Sequence, residues 1–181
     1  TVTFDPDANW NGNENIAFIA QDAAGASVLE QLLVIVNPVN DQPQINFPPY
    51  IEFAEDTTGE YDLNSYISDI DGDELTVSIS GSNNINYELN EMALSLWAPA
   101  DWSGFELFFF NVNDGMGGSV NDSLEVRVSS VNDVPVMNLP ESISFDEDES
   151  LEINFSDSLW VSDVDGDDIT ILPSGNNQIL T

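Results

Sequence analysis

The chain has 181 residues, of which 34 are acidic and one, Arg127, is basic, giving a formal charge of −33 at pH 7. Phosphate recognition needs clustered Lys or Arg, so nucleic acid and anionic membrane are not expected as partners. With no His and no Cys there is no Ser-His-Asp or Cys-His nucleophile, no ordinary zinc site and no disulfide framework, yet a hydrophobic share of 41% supplies apolar surface enough for packed cores.

In chain order, residues 6–12 (Pro-Asp-Ala-Asn-Trp-Asn-Gly) read as a turn, and Ile16, Phe18 and Ala20 alternate as on a strand running toward Asp22. Val28, Leu32, Val34 and Val36 predict a second strand, which leads to Val39-Asn40-Asp41-Gln42-Pro43. Further strands are predicted at Ile51 with Phe53, Tyr61 with Leu63, and residues 75–79, parted by Thr58-Gly59 and Gly81-Ser82-Asn83. Phe108, Phe110 and Val112 then lead to Asp114, and Val120, Leu124, Val126 and Val128 to a second linker. No helix is predicted. The longest apolar runs, 32–36 and 107–110, fall far short of the roughly 20 residues that span a bilayer.

Self-comparison explains this order. An offset of 92 residues lays Trp10 on Trp102, Asp22 on Asp114, Val39-Asn40-Asp41 on Val131-Asn132-Asp133, and Glu55-Asp56 on Glu147-Asp148. The block Asp69-Ile70-Asp71-Gly72-Asp73 recurs at an offset of 94 as Asp163-Val164-Asp165-Gly166-Asp167, which implies a two-residue insertion near 156–159. A period this long is one small domain, and its many short strands predict an all-β, Greek-key β-sandwich of immunoglobulin or cadherin type. The expected division is 1–41 as the C-terminal half of one repeat, 42–133 as a complete repeat, and 134–181 as the N-terminal half of the next. Half a sandwich leaves an open edge, so neither end is expected to be stable alone. The chain therefore reads as a window on a longer array, or as a unit whose successive copies complete each other's split domain.

The acidic residues recur with the repeat, at strand ends and linkers. Asp, Glu, Asn and backbone carbonyls are hard oxygen ligands that suit calcium. The Asp69-to-Asp73 block is no EF-hand, because its Gly stands fourth and a strand follows. Gly117-Gly118-Ser119-Val120 likewise lacks the repeated Gly and Asp positions of the nonapeptide calcium pattern.

The order of these blocks carries a resemblance: an acidic pair after the first strand, Asp-x-Asp before a central strand, Asn-Asp-Gly before the last hairpin, then Val-Asn-Asp-x-Pro. Together they resemble the cadherin repeat, and residues 6–12 and 113–118 resemble the cadherin-like tandem repeats of large bacterial surface and adhesin proteins. The resemblance implies calcium at each junction. At the first it implies Asn40 and Asp41 from the linker with Asp69, Asp71 and Asp114; at the second, Asn132 and Asp133 from the linker with Glu55, Asp101, Asp163 and Asp165, Asp56 standing beside Glu55. Glu147 occupies the Glu55 position in the third segment, while Asp73, Asp167 and Asp168 read as surface charge. Pro38 and Ser130 replace the acidic residue that opens a cadherin linker, and the Asp-Arg-Glu block is reduced to Asp101 or Asn9, which implies fewer or weaker sites.

Trp10 and Trp102 share a repeat position and are read as loop anchors; Trp97 and Trp160 have no such counterpart and are the candidates for a contact surface. The expected function is a calcium-rigidified extracellular fibre, stalk or adhesin spacer at a bacterial cell surface, with neighbouring repeats or further copies as partners. The alternative is a glycan- or protein-binding adhesion module using exposed aromatics. An enzyme is not expected, because the carboxylates recur with the repeat and form no unique pair.

Overall fold

The computed structural model describes residues 1–155 and 160–175, so the insertion expected near 156–159 and the chain end at Thr181 lie outside the described residues. Alternating apolar residues place the strands: β1 (Gly12–Gln21), β2 (Ser27–Val36), β3 (Gln44–Ile45), β4 (Tyr50–Ala54), β5 (Gly59–Asp62), β6 (Ile67–Ser68), β7 (Thr76–Ser80), β8 (Asn86–Asn90), β9 (Ala93–Trp97), β10 (Gly104–Asn113), β11 (Ser119–Ser129), β12 (Val136–Met137) and β13 (Val161–Ser162). Among the described residues the one helical element is a 3-10 turn, Leu63–Ser65.

The molecule is all-β, with a sandwich core built from two principal sheets. One sheet has the order β4-β11-β10-β7 and the other β5-β9-β8, with β3 pairing β6 at one end. Side chains of β10 alternate in and out, so Phe108, Phe110 and Val112 are buried while Phe105, Leu107 and Phe109 face solvent. Leu124, Val126 and Val128 of β11 and Ile51 and Phe53 of β4 fill the same side, facing Leu94 and Leu96 of β9. Phe47 packs on Phe110 with ring centroids 4.7 Å apart, and Tyr87 meets Phe108 edge-on at 6.0 Å. Each such aromatic contributes about 2–3 kcal/mol through burial.

A carboxylate also points inward from β10. Glu106 is buried and accepts the amides of Asn83 and Asn84, both at 2.8 Å, and of Ile85 at 3.2 Å, which fixes the loop between β7 and β8. Burial pushes its pKa up, but the three amides and the Asn84 side chain outweigh that and hold it below the usual carboxylate value. A depressed folded pKa contributes stability above the unfolded value that disappears as pH falls through the folded one. Glu106→Gln is expected to cost about 2 kcal/mol in urea denaturation at neutral pH, the scale of a charged hydrogen bond, and to flatten the acid limb of the stability profile.

The hairpin β1–β2 repeats β10–β11 pair for pair: Gly12 faces Val36 as Gly104 faces Val128, and Gln21 faces Ser27 as Asn113 faces Ser119. Asn9 and Asp101 both adopt left-handed backbone, φ 60° and 55°. The rings of Trp10 and Trp102 lie over Gly12 and Gly104, where a Cβ would stand 3.2 and 3.1 Å from ring carbons. The surroundings differ. β10–β11 is flanked by β4 and β7, whereas among the described residues β1 and β2 pair only with each other, leaving Phe18, Val28 and Leu32 exposed. Among the described residues after 133, strand pairing is confined to β12 with β13, and Ile143, Phe145 and Leu151 are exposed.

Candidate metal centre

The second linker draws carboxylates from both of its sides. Glu55, at the end of β4, is 3% exposed and accepts the amide of Val131 at 2.6 Å, while its own amide donates to the Ser129 carbonyl at 2.9 Å. This ties the start of the linker to the acidic pair. Asp133 donates its amide to Asp165 Oδ2 at 2.7 Å, and Asp165 in turn donates to Asp163 Oδ1 at 3.0 Å. Asp56 and Asp101 both sit in left-handed backbone, φ 59° and 55°, which Asp tolerates better than bulky residues do, and the Asp101 amide reaches Asp56 Oδ1 at 3.2 Å.

Two groups of carboxylates result, Glu55 with Asp133 and Asp165, and Asp56 with Asp101 and Asp133, the oxygens of each lying within 4.8 Å of one another. Asp133 belongs to both. Its Oδ2 is buried with no hydrogen-bond partner. Burial raises its pKa, reinforced by the charges of Asp101, Asp165, Asp56 and Glu55. Asn132 lies alongside, its side-chain amide donating to the Asp133 carbonyl at 2.8 Å.

The first linker repeats part of this design. Asp69, Asp71 and Asp73 form a third group within 4.8 Å, and Asp69 Oδ2 is again buried without a partner. Asp69 Oδ1 accepts the amides of Asp71 and Gly72 at 2.8 and 3.1 Å, a turn closed by the aspartate itself. Asp41 donates its amide to Asp71 Oδ2 at 2.7 Å, as Asp133 does to Asp165. Asn40 donates to Asp114 Oδ2 at 2.9 Å. Asp114 is buried and also accepts the amides of Met116 and Gly118 at 2.7 and 2.9 Å. The Asn40 side chain and then these amides hold its carboxyl below the usual range. A Cβ on Gly118 would run into Asp114 Oδ2 and the backbone of Gln42, so this approach needs glycine.

The structure thus brings Glu55, Asp101, Asp133 and Asp165 together at one junction, with Asp163 orienting Asp165 and Asn132 beside them. It also brings Asn40 to Asp114 and Asp41 to the Asp69–Asp71 turn. Asp73, read as surface charge, instead stands half-buried with Asp69 and Asp71; burial, then the charges of Asp69, Asp71 and Asp114, raises its pKa. Glu147 is exposed and joins none of the acidic groups found among the described residues. The sole basic side chain is engaged elsewhere, bonded through Nε to Glu125 at 2.6 Å and stacked 3.7 Å over the Tyr50 ring. Buried unpartnered carboxylate oxygens crowded by like charges, with no Lys or Arg among them, fit a hard divalent cation.

No protein-family model matches the chain, and no curated protein matches it. Among solved structures, human mucin-like protocadherin EC1-2 matches with a TM-score of 0.52 and 19% identity, over 72% of this chain and 74% of that one. The fold is cadherin-like. An endo-fucoidan hydrolase from glycoside hydrolase family 107 matches with a TM-score of 0.42 and 22% identity over 73% of this chain. A nucleoside hydrolase-related hypothetical protein from Saccharophagus degradans matches with 0.41 and 16% over 52%. The chain spans about a fifth of the length of the fucoidan hydrolase, 22%. The acidic groups are compatible with the binding of a hard divalent cation such as calcium. Among the described residues no helix is long and apolar enough to cross a membrane.

Proposed function

We propose that the chain is a stretch of an extracellular array of calcium-stiffened cadherin-like repeats, acting as a fibre, stalk or adhesin spacer at a bacterial surface, with residues 42–133 as the complete repeat. The observation that carries this reading is Asp133, one linker carboxylate shared by two acidic groups, with a buried oxygen that nothing among the described residues satisfies. Its companions Glu55, Asp56 and Asp101 precede the linker and Asp165 follows it. A cation there ties two successive repeats. Glu55, Asp56, Asp101, Asp133 and Asp165 would hold calcium at the second junction, and Asp69, Asp71 and Asp73, with Asn40, Asp41 and Asp114 beside them, at the first. Calcium supplies the positive charge that the sequence omits, and the role is mechanical, not catalytic.

In the metal-free chain the same carboxylates repel one another, so the junction is expected to hinge. Because calcium binds the ordered junction better than the disordered one, it stabilises by mass action. At about a hundredfold excess over its dissociation constant the gain is about 2.7 kcal/mol, or roughly 10–20 °C in melting temperature for a unit of this size. Melting temperature and hydrodynamic radius measured in calcium, in chelator, and in chelator with sodium chloride at matched ionic strength test the proposal. A rise in melting temperature specific to calcium is expected. Equal stabilisation by sodium chloride would leave the acidity as a halophilic adaptation, and unchanged values throughout would remove calcium from the account.

A further inference from the structure

The outer surface of the sheet β4-β11-β10-β7 differs in chemistry from the rest of this acidic chain. Alternate residues of a strand point outward, and on the β7 side of the sheet the outward positions form two rows across the strands. Ser80, Phe109 and Ser123 make one row, and Ser78, Asn111 and Asn121 the next. None is charged. The charges this face does carry stand toward β4, where Arg127 is bonded to Glu125 and lies beside Glu52. The outer face of the other sheet resembles the chain at large, with Glu60, Asp62 and Glu88 at exposed positions.

The two rows line an open groove of about 650 Å³, within the roughly 300–1,000 Å³ typical of small-ligand sites. The Phe109 ring stands in the middle of the first row and is 51% exposed. Gly81 fixes it from one side: its φ is 99°, and a Cβ there would come within 2.7 Å of the ring and of the Leu107 carbonyl. The turn after β7 therefore closes on the ring and sets its position. In the second row Asn111 donates its side-chain amide to Asn121 Oδ1 at 2.9 Å. That bond orients both amides and leaves Asn111 Oδ1 to accept and Asn121 Nδ2 to donate. Asp122 also borders the groove, its carboxylate accepting the Ser123 amide at 2.8 Å.

We infer that this groove binds a neutral polysaccharide, with a sugar ring stacked by its C–H face on Phe109 and its hydroxyls bonded to the Asn111 and Asn121 amides and the neighbouring serines. A sugar ring combines an apolar face with a hydroxyl edge, and the groove sets an aromatic ring beside uncharged donors and acceptors in the same way. An apolar peptide would cover the ring but leave the amides unmet. Charge narrows the class further. An acidic polysaccharide, or a second copy of this chain at −33, would approach a like-charged body whose one cation is already engaged. The groove uses none of the junction carboxylates, so this inference and the calcium reading stand independently.

Native electrophoresis of the full chain through gels containing hydroxyethyl cellulose, galactomannan or soluble starch, with alginate as the acidic probe, tests it. At least one neutral polymer is expected to slow the chain relative to a non-binding reference protein, and alginate is not. Phe109→Ala should weaken the retardation about tenfold, the scale of one aromatic contact. Asn121→Asp keeps the acceptor that Asn111 uses and removes the donor, and should weaken it about fivefold, the scale of one hydrogen bond. Trp97→Ala, on the outer face of the other sheet, should bind as the native chain does. Thermal melts of each variant separate lost binding from lost folding. No retardation by any neutral polymer, retardation by alginate, unchanged binding by Phe109→Ala, or loss confined to Trp97→Ala would each overturn the inference. So would a dimer in sedimentation that Phe109→Ala dissociates, which would make the face an interface between copies. All gels and melts are run in calcium and in chelator. Retardation in both with no thermal response to calcium leaves this inference standing and removes the calcium reading, and a calcium-stabilised chain that no neutral polymer slows does the reverse.

Discussion

Asp133→Asn is expected to reverse sign with the metal: the variant is more stable than the native chain in chelator and less stable in calcium. The first half follows from the electrostatics of the apo junction. Burial and the surrounding charges of Asp101, Asp165, Asp56 and Glu55 raise the Asp133 pKa. A carboxyl with a raised folded pKa stabilises the fold while protonated, and that contribution is lost as pH rises through the folded value. At neutral pH the native chain has therefore lost it, and an uncharged asparagine of nearly the same shape escapes the loss. The second half follows from sharing. One substitution withdraws a charged ligand from two carboxylate groups, so most of the calcium increment, roughly 10–20 °C in the native chain, is expected to vanish. Thermal melts of both proteins at pH 7, each in calcium and in chelator, give the four values needed. A variant that is merely less stable in both conditions would mean that Asp133 is structural and holds no cation.

The sequence made the strands with inward-facing large side chains visible. Phe108, Phe110 and Val112 and their counterparts Ile16, Phe18 and Ala20 alternate strictly, and the offset of 92 aligns both hairpins residue by residue, as their registers confirm. β8 was not legible, because Asn86, Glu88 and Asn90 bury nothing and leave only Tyr87 and Leu89 as signal, and β9 offers no more than Leu94 and Leu96 on either side of Ser95. The parallel pairing of β4 with β11 leaves no trace in periodicity at all. At the site, the linker residues and the Asp-x-Asp blocks were readable because they recur. Asp73 was not: it follows Gly72, whose φ of 80° turns the chain back so that a third carboxylate joins Asp69 and Asp71. Glu106 was hidden differently, since a Glu on the inner side of a strand looks like an error in alternation until the three amides it holds are in view.

Phe108→Ala is expected to produce the largest loss of stability of any substitution considered, and its comparison with Phe18→Ala separates the complete sandwich from the lone hairpin. The two residues lie on the same side of equivalent strands, two pairs apart in the repeat: Ile16 opposite Leu32 holds the place of Phe108 opposite Leu124, and Phe18 opposite Glu30 that of Phe110 opposite Asp122. Phe108 is fully buried, meets Tyr87 at 6.0 Å and sits among Leu94, Leu96 and Leu124. Its removal leaves a cavity that strands on both sides cannot close without breaking ladder hydrogen bonds. The expected cost is about 3–5 kcal/mol, read as a shift in urea midpoint with an unchanged slope. Phe18 is 36% exposed on a two-stranded sheet, so in a dilute chain its truncation should cost no more than about 0.5 kcal/mol, the scale of surface changes. An equal cost at both positions would mean that the hairpin face is already covered within the chain.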